Sequence, residues 1–561
     1  MAKMVDKVTK IMKTPKNIRN IAICAHIDHG KTTFSDNLLA GAGMMSEDLA
    51  GKACQLDFHE DEQSRGITID SASVNMVHEH SGSEYLVNLI DTPGHVDFGG
   101  DVTRAMRAVD GAIVLCDASE GIMPQTETVL RQALKERVKP VLFINKVDRL
   151  IKEIQLTPEQ MQEKFIRIIG DVNKLIREIS PDYGQKWQVN VQDGSVAFGS
   201  AFHNWALSVP YMQQNNITFK DIIDAYADGD HKPLAKKAPL HEVCLNMVVE
   251  HLPNPILAQE YRIPKIWHGE LDSLEGKALT ICDSQGPLFF VVIKIVIDPQ
   301  AGEIAFGRLF SGTMKKGTQV YLNNDKEKGR IQQVFITNGA KREIVDNVPS
   351  GNIIAVAGLK STVGETVTES EVTPFEEITH IFDPVITKAI EASKPSDLPK
   401  LIEVLRQVGK EDPTVKVEIN EETGENLLHG MGALHLEIIE NRIKEEKKVE
   451  VKTSPPIVVF RETVNKVGEQ SEGKTPNKHN KFYFVAEPLE PEIFKLVQRK
   501  ELPEGRVKKK EDQLIQTLVD AGYDTKMANK VKNIYNGNLL VDMTRGQVHM
   551  HEVIELINDM F

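Results

Sequence analysis

Residues 25–34, AHIDHGKTTF, bring two histidines, an aspartate and a lysine together directly after an apolar run. The spacing of His26 and His29 would suit a metal site, whereas Lys31 and Thr32 would suit a phosphate. The flanks favour the phosphate, because NIAICAH before this stretch predicts a buried strand and KTTFSDNLLAGAG predicts a helix. A loop that leads from a strand into a helix directs backbone N–H groups at an anion. We therefore predict that Lys31 holds the phosphates of a nucleotide and that the Thr32 hydroxyl binds Mg²⁺.

This loop departs from the usual phosphate-binding pattern G-x-x-x-x-G-K-[ST] at its first position, where Ala25 replaces a glycine. One departure makes the pattern only moderately specific when it is taken alone. Metal sites are the alternative, both here and in QVHMHE, where His549 and His551 are close in sequence. We interpret these histidines as loop residues, since no further ligand pattern accompanies them.

Two later segments end in side chains that a bound nucleotide requires. EYLVNLIDTPGH predicts a buried strand that delivers Asp91 to the Mg²⁺ shell, while Gly94 lets a backbone N–H approach a γ-phosphate. PVLFINKVD predicts another strand, which ends in Asn145, Lys146 and Asp148. A carboxylate at Asp148 can accept hydrogen bonds from the N1–H and the exocyclic amine of guanine, which adenine cannot supply. This segment therefore predicts GTP and GDP as ligands rather than ATP.

Two further segments complete the set. VAFGSA predicts a loop whose backbone N–H groups at Ser200 and Ala201 reach the guanine O6. RGITI supplies Thr68, whose hydroxyl and carbonyl can contact Mg²⁺ and the γ-phosphate in the triphosphate state and release them after hydrolysis. Segments of this kind in this order predict a GTPase.

His95 directly follows Gly94, at a position where a side chain could orient the water that attacks the γ-phosphate. Catalysis of phosphoryl transfer is mainly positioning and charge stabilisation, so a histidine can act here without taking the proton. The alternative is a surface histidine that caps the next helix. We predict His95 as the catalytic residue.

Strand and helix patterns alternate through the first 260 or so residues, which predicts a doubly wound, mostly parallel sheet with the nucleotide at the carboxyl ends of its strands. A long helix is predicted after the INKVD segment. Thr157 is its N-cap, Pro158 its first residue, and Gln160 completes a capping box. Its buried stripe is predicted from the apolar spacing and consists of Met161, Phe165, Ile168, Val172, Ile176 and Ile179.

The segments AHIDHGKTT, DEQSRGITI, LIDTPGHVDF, NKVD and FGSA resemble the translational GTPases, and most closely the elongation factor 2 family, the archaeal and eukaryotic counterpart of elongation factor G. Ala25 fits the pattern of that family, and the GTPase region without a large insertion resembles its archaeal members. The resemblance implies ribosome-stimulated GTP hydrolysis that drives translocation of tRNA and mRNA. It implies further that His95 is activated by ribosomal RNA, that Asp28 supports the phosphate loop, and that Thr32 and Thr68 hold Mg²⁺.

The residues expected to contact the nucleotide lie in the segments described above and are His26, Ile27, Asp28, His29, Gly30, Lys31, Thr32, Thr33, Asp91, Gly94, Asn145, Lys146, Asp148, Ser200 and Ala201. Expected partners are ribosomal RNA and ribosomal proteins, with the tRNA–mRNA complex contacted indirectly. We expect a monomer with no membrane partner.

The rest of the chain changes pattern twice. Short β-type runs with glycine turns predict a β-barrel, and "GRLFSGTMKKGTQVYL" resembles the barrel found beside the GTPase domain of translational factors. A strand, helix, strand, strand, helix, strand order then predicts a ferredoxin-like α+β domain, where the tRNA-carrying factors have a second barrel. The predicted domains are a GTP-binding domain at 1–262, the barrel at 263–372, the ferredoxin-like domain at 373–452 and a partial fourth α/β domain at 453–561.

The sequence stops at Phe561, before the modified-histidine loop and the last domain of that family are expected. We therefore assign no diphthamide site and expect either a fragment or a chain that has lost these domains. Two alternatives to translocation stay open: a ribosome recycling or rescue GTPase, and a truncated module that binds nucleotide or ribosome without translocation.

Composition is that of a globular protein, with 41% hydrophobic and 26% charged residues. The net charge of −14 would repel nucleic acid, so a ribosome must be met through local basic patches, for which 473–481 and 506–511 are candidates. Five scattered cysteines indicate reduced thiols rather than disulfides or zinc. No apolar run is long enough for a bilayer, and no secretory signal is apparent, so we expect a cytoplasmic protein.

Overall fold

The fold is taken from a computed structural model of the whole chain, which forms two compact units, residues 1–459 and 460–561. The residues it describes are 2–45, 56, 60–65, 67–180, 182–229, 231–298, 300–338, 341–378, 384–419, 426–458, 464–474, 481–498, 502, 505–507, 512–535, 537–544, 557 and 561. Within these ranges no helix combines the length and the apolar character needed to cross a bilayer.

A seven-stranded sheet forms the centre of the first domain, with strand order β2-β3-β1-β4-β5-β6-β7. Its strands are β1 (Ile18–Ala25), β2 (Ala72–His80), β3 (Ser83–Asp91), β4 (Gly111–Asp117), β5 (Lys139–Asn145), β6 (Val196–Ser200) and β7 (Trp205–Ser208). The five strands from β3 to β6 in this order run parallel, and β2 and β7 pair antiparallel at the edges. The predicted doubly wound, mostly parallel sheet is confirmed, and the carboxyl ends of β1, β3, β4, β5 and β6 share one edge.

Helices cover both faces of this sheet and extend from it. They are α1 (Ala2–Ile11), α2 (Lys31–Gly41), α3 (Glu60–Arg65), α4 (Gly99–Ala108), α5 (Pro124–Lys135), α6 (Val147–Lys152), α7 (Pro158–Ile179), α8 (Val209–Asn215), α9 (Phe219–Ala227), α10 (Lys232–Lys237), α11 (Leu240–His251), α12 (Pro255–Ile266) and α13 (Leu274–Thr280). Thr157 and Gln160 form the predicted capping box at the start of α7. In its apolar stripe Met161, Ile168, Val172 and Ile176 are buried, whereas Phe165 and Ile179 are only partly buried.

The second domain is β-rich, and closure of its strands into the predicted β-barrel stays a prediction. An eight-stranded sheet has the order β12-β11-β17-β8-β9-β16-β13-β14, and β10 pairs with β15 beside it. The strands are β8 (Phe289–Asp298), β9 (Gly302–Ser311), β10 (Thr313–Lys315), β11 (Gln319–Leu322), β12 (Glu327–Arg330), β13 (Gln333–Asn338), β14 (Lys341–Val345), β15 (Asn347–Pro349), β16 (Ile353–Ala357) and β17 (Thr366–Thr368). Strand β8 covers most of the longest apolar run of the chain, at 287–297.

The third domain has the predicted strand and helix order of a ferredoxin-like fold. Its elements are β18 (Ile386–Ala392), α14 (Leu398–Glu411), β19 (Lys416–Ile419), β20 (Asn426–Gly430), α15 (Ala433–Glu445), β21 (Val451–Thr453) and β22 (Ile457–Val458). The antiparallel sheet has the order β19-β20-β18-β21, and β22 also pairs with β18. Both helices bury an apolar stripe in the same core, which fixes α15 on the sheet.

The second compact unit contains a two-stranded sheet, a three-stranded sheet and short helices around one apolar cluster. Its elements are β23 (Ser471–Lys474), β24 (Lys481–Phe484), α16 (Pro491–Gln498), β25 (Gly505–Arg506), α17 (Asp512–Asp520), α18 (Thr525–Ala528), β26 (Val531–Tyr535) and β27 (Asn538–Val541). This mixture agrees with the predicted fourth α/β domain. The exact boundaries of all four domains stay predictions.

A buried ion cluster joins the GTP-binding domain to the β-rich domain. The Asp110 carboxylate accepts hydrogen bonds from Arg262 at 3.1 Å and from Arg308, in β9, at 3.0 Å. Asn20 donates to the same carboxylate at 2.8 Å. All four side chains are fully buried. A buried ion pair is costly to break, because the partner left behind has neither water nor an opposite charge.

We predict that Asp110→Ala destabilises the protein by about 3–5 kcal/mol, since it leaves two guanidinium groups buried without their carboxylate. The measurement is the urea midpoint of unfolding of the first compact unit, followed by fluorescence. Asp272→Ala removes an exposed carboxylate and serves as the control, with an unchanged midpoint expected. Equal midpoints for the two variants would contradict a structural role for the cluster.

Candidate nucleotide-binding site

The loops at the carboxyl edge of the seven-stranded sheet surround a cavity of about 770 Å³. Its volume is in the range of small-molecule sites. Most of the residues predicted from the sequence line it, namely His26, Ile27, Asp28, Gly30, Lys31, Thr32, Thr33, Thr68, Gly94, His95, Asn145, Lys146, Asp148 and Ala201. The structure therefore brings together segments that lie as far apart in the chain as residues 26 and 201.

The loop between β1 and α2 turns sharply through two left-handed positions, Asp28 at φ +62° and Gly30 at φ +87°. A Cβ at Gly30 would lie 2.6 Å from the Asn145 side-chain nitrogen, so only glycine fits there. Gly94 also lies close to this loop, with a Cβ position 3.4 Å from the backbone nitrogen of Ile27. The close approach sets the DTPG turn directly beside the loop.

Asn145, at the end of β5, connects two loops through its amide. Its nitrogen donates to the backbone oxygen of His29 at 2.8 Å, and its oxygen accepts from the backbone N–H of Ala201 at 2.9 Å. The amide is buried, so both bonds are protected from water. Asn145 thus fixes the β1–α2 loop relative to the FGSA loop. The Ala201 N–H, expected to bind guanine O6, has this amide oxygen as its partner.

Lys31 and Asp91 form a buried pair at the centre of the site. Lys31 Nζ donates to Asp91 Oδ2 at 2.9 Å, and Ser35 Oγ donates to Asp91 Oδ1 at 3.3 Å. Asp91 is fully buried behind the cavity, whereas Lys31 lines it. The lysine charge is therefore held in place by a carboxylate at the end of β3.

The residues after β5 form the other end of the cavity. Lys146 has a left-handed backbone, and its ammonium donates to the backbone oxygen of Asp28 and lies 3.0 Å from Asp117. Burial opposes ionisation of Asp117, but hydrogen bonds from Ser119 and the Lys146 charge hold its pKa below the usual value. Asp148 Oδ1 is buried and has no hydrogen-bond partner among the described residues. An unpaired carboxylate oxygen beside a cavity is suited to accept N–H groups of a ligand.

Thr68 reaches the cavity because Glu62 holds its segment. Glu62 Oε1 accepts from the backbone N–H groups of Ile69 and Asp70, each at 2.9 Å, and the Glu62 side chain is buried. Glu62 was not among the predicted site residues, although it lies in the quoted DEQSRGITI segment. A glutamate just before the Thr68 segment was the available signal, but the sequence does not show that its side chain turns back to the backbone.

His95 lies at the cavity rim and is oriented by Asp97. Its Nδ1 atom lies 3.2 Å from the backbone nitrogen of Asp97 and 3.3 Å from the Asp97 carboxylate. Burial opposes ionisation of Asp97, whereas the hydrogen bond and charge of His95 lower its pKa below the usual value. Nδ1 therefore faces the protein, and the remaining ring nitrogen is on the opposite side of the ring.

Helix α15 of the ferredoxin-like domain contacts both the Thr68 segment and the His95 segment. Arg442 lies 3.0 Å from Asp61 and 2.7 Å from Asp70, which flank Thr68 in sequence. Burial alone would lower the pKa of Arg442, but the two carboxylates raise it. At the start of α15, Gly432 approaches Asp97 so closely that a Cβ would overlap its carboxylate. One helix thus contacts both the segment that carries Thr68 and the segment that carries His95.

Three of the residues expected to contact the nucleotide, His29, Asp91 and Ser200, are not among those that line the cavity. The side chains of His29 and Ser200 are fully buried and do not line the cavity; His29 contacts Glu120, and Ser200 contacts His203. Burial lowers the pKa of His29. Further lining residues, which the sequence did not single out, are Asp36, Ile67, Glu120, Arg149, Glu153 and Phe202. No short pattern marks them, since they reach the cavity through the fold of neighbouring loops.

Among the described residues, no group of three or more histidine, cysteine, aspartate or glutamate side chains could hold a metal ion. His549, His551 and Cys54 lie outside the described residues, as do most of the proposed basic patches at 473–481 and 506–511. The four described cysteines are buried free thiols. Burial raises the pKa of Cys24 and Cys116 to about 12, so both stay protonated.

Comparison with protein-family models gives three matches along the chain. Residues 16–254 match the elongation factor Tu GTP binding domain, residues 302–368 match elongation factor Tu domain 2, and residues 381–455 match elongation factor G domain III. The matched segments follow the order of the three domains in the first compact unit.

Similar curated proteins carry the name elongation factor 2. The chain is 58% identical to that of Thermococcus kodakarensis, over 100% of this chain and 76% of the relative. It is 58% identical to that of Methanocaldococcus jannaschii, over 99% and 77%, and 56% identical to that of Pyrococcus abyssi, over 100% and 76%.

We predict that Arg442→Ala loosens the Thr68 segment, because it removes the contacts of α15 with Asp61 and Asp70. Amide hydrogen exchange of residues 67–70 is expected to accelerate about fivefold, as loss of about 1 kcal/mol implies. Lys444→Ala, on the same helix, removes only a pair with Glu440 and is the control. Unchanged protection of residues 67–70 in Arg442→Ala would show that other contacts hold this segment.

Proposed function

Because the chain belongs to the elongation factor 2 family, whose members are translational GTPases, we propose that it hydrolyses GTP on the ribosome and couples hydrolysis to translocation of tRNA and mRNA. The observation that carries the proposal is the convergence of six separate segments of the chain on one cavity at the carboxyl edge of the sheet. That edge is where open α/β sheets bind their ligands.

The phosphates of GTP or GDP are proposed to bind at the β1–α2 loop. Backbone N–H groups from Asp28 to Thr33 and the Lys31 ammonium would supply positive charge at the start of α2. The pair between Lys31 and Asp91 supports this role, since it fixes a side chain that would otherwise lose much freedom on binding.

The guanine base is proposed to bind at the opposite end, against Asp148, Lys146 and the Ser200–Ala201 loop. The unpaired and buried Oδ1 of Asp148 supports the assignment, because an N–H of guanine would satisfy it. Adenine lacks these donors at the matching positions. Asn145 is proposed to act indirectly, by holding the two loops at a fixed distance.

Mg²⁺ is the expected metal for a bound triphosphate, and the hydroxyls of Thr32 and Thr68 are proposed to hold it. Both residues line the cavity, and hydroxyl and carboxylate oxygens are the hard ligands that Mg²⁺ prefers. A site of this kind needs few protein ligands because phosphates and water supply the rest. When bound, the ion neutralises charge on the phosphates. The fully buried Asp91 would contribute negative charge to this region.

His95 is proposed to orient the attacking water. Its position at the cavity rim and its Nδ1 contact with Asp97 support this role, since they set the direction of the ring. Ordering of Thr68 and His95 around one γ-phosphate would change the contacts of α15, because this helix contacts both segments.

The ribosome is the partner that family membership implies. The tRNA–mRNA complex as an indirect partner, and a monomeric state, are further parts of the proposal. With a net charge of −14, attraction to ribosomal RNA would depend on local basic surface.

We predict that Asp148→Asn lowers GDP affinity about tenfold to a hundredfold, because a charged acceptor of base N–H groups is lost. The same change is expected to raise the affinity for xanthosine diphosphate, because the C2 carbonyl of xanthine can accept a hydrogen bond from the new amide N–H. Equilibrium binding of both nucleotides checks this, with Asp224→Asn, an exposed site on α9, as the control. Equal binding of ATP and GTP by the unaltered chain would refute the base assignment.

We predict that His95→Ala reduces ribosome-stimulated GTP hydrolysis about a hundredfold or more while GTP binding is retained. The side chain positions water and does not hold the nucleotide, so only the stimulated rate should change. His268→Ala removes an exposed histidine and is the control. A stimulated rate equal to that of the unaltered chain would exclude His95 from the reaction.

A further inference from the structure

His203 lies directly behind the carboxylate that is proposed to bind guanine. Its Nδ1 atom is 3.9 Å from Asp148 Oδ2, 2.9 Å from the Tyr226 hydroxyl and 3.3 Å from Ser200 Oγ. The ring of His231 packs against it with centroids 3.9 Å apart. The His203 side chain is 8% exposed and does not line the cavity. A second titratable group is therefore built in beside Asp148, out of reach of the nucleotide itself.

Hydrogen-bond directions around Tyr226 favour one tautomer of His203. Trp205 Nε1 can only donate, and it donates to the Tyr226 oxygen at 2.8 Å. The Tyr226 proton is then available for His203 Nδ1, which accepts it through its lone pair. We assign the proton of the neutral ring to Nε2. In that form His203 offers no donor to Asp148 Oδ2, and the carboxylate keeps its full charge on that side.

We propose that His203 is a positioning residue for guanine recognition, whose neutral ring leaves the Asp148 carboxylate available to the base. The proposal rests on the guanine nucleotide site proposed above. Protonation at Nδ1 would create an imidazolium whose positive charge lies 3.9 Å from Asp148 Oδ2, within ion-pair distance. A carboxylate paired in this way is a weaker acceptor for base N–H groups, because hydrogen bonds to an ionised group are the stronger ones. Guanine affinity is thereby linked to the charge of His203.

The groups around His203 keep the ring neutral near neutral pH. Burial, together with the nearby His231 and the charge of Lys152, lowers its pKa from 6.5 to about 4, against the attraction of Asp148. Tyr226, on α9, adds the hydrogen bond that requires an unprotonated Nδ1. Proton uptake therefore occurs well below neutral pH in the unaltered chain. We expect proton uptake at higher pH once the Tyr226 hydroxyl is removed, because its hydrogen bond to Nδ1 stabilises the neutral ring.

The test compares GDP with inosine diphosphate, which lacks the exocyclic amine of guanine, in equilibrium binding to the full chain between about pH 5.5 and about pH 7.5. In the unaltered chain the preference for GDP is expected to stay constant across this range. In Tyr226→Phe the preference for GDP is expected to equal that of the unaltered chain at the upper end of this pH range. This agreement would also verify that the variant is folded. On acidification it should then fall about fivefold to tenfold, as the His203 ring takes up a proton.

Two variants isolate His203 as the titrating group. Combining Tyr226→Phe with His203→Gln replaces the ring by an amide that stays neutral, so the acid sensitivity should disappear. The control combines Tyr226→Phe with His78→Gln, which removes another buried histidine that contacts Asn246 and does not line the cavity. In this variant the acid sensitivity should persist.

The role of His203 would be overturned if the preference for GDP did not change with pH in Tyr226→Phe, or if it still fell on acidification in the double variant with His203→Gln. Either result would leave the proposed guanine binding intact. If the unaltered chain binds neither nucleotide, the proposed function itself fails and this inference with it.

Discussion

The geometry of the site depends on the amide of Asn145. A parallel sheet brings the ends of its strands to one edge, but it does not set the distances between the loops that follow them. Asn145 does so by bonding the His29 carbonyl on one side and the Ala201 N–H on the other. The same amide lies against Gly30, where no side chain could fit. The loops assigned to phosphate and to base are thus held at a fixed separation before any ligand enters, which reduces the entropy lost on binding.

Two of the contacts between the first three domains differ in physical character. Asp110 and its two arginines are fully buried. Separating the β-rich domain from the GTP-binding domain would leave buried charged groups without their partners, at a high cost in free energy. The Arg442 side chain of α15 is 23% exposed, and the two carboxylates with which it pairs are also partly exposed. Partly solvated pairs exchange protein partners for water at small cost. The first contact favours a permanent arrangement, whereas the second is weak enough to be remade when the Thr68 segment changes.

The fold was predictable wherever the pattern is local. Strand and helix alternation, the Thr157 capping box and the six-element order of the ferredoxin-like domain can all be read from neighbouring residues. Loop residues such as Lys31 and Asp148 were predictable because chemistry restricts their type. The contact of Arg442 with Asp61 was not predictable, because 381 positions separate the two residues in sequence and only the assembled domains bring them together. The half-buried Phe165 shows the same limit on a smaller scale, because a helix period does not reveal how wide its covered face is.

Two residues that line the cavity, Asp148 and His26, each have a buried polar atom without a hydrogen-bond partner among the described residues. A buried carboxylate oxygen normally finds a donor, because leaving it unpaired costs about 1–3 kcal/mol or more. At Asp148 the fold leaves Oδ1 unpaired among the described residues, and at the phosphate end it leaves His26 Nδ1 in the same condition. Sequences violate such local rules mainly where a function compensates. A guanine N–H at one end and a phosphate at the other would each remove one of these costs, so ligand binding would also stabilise the fold.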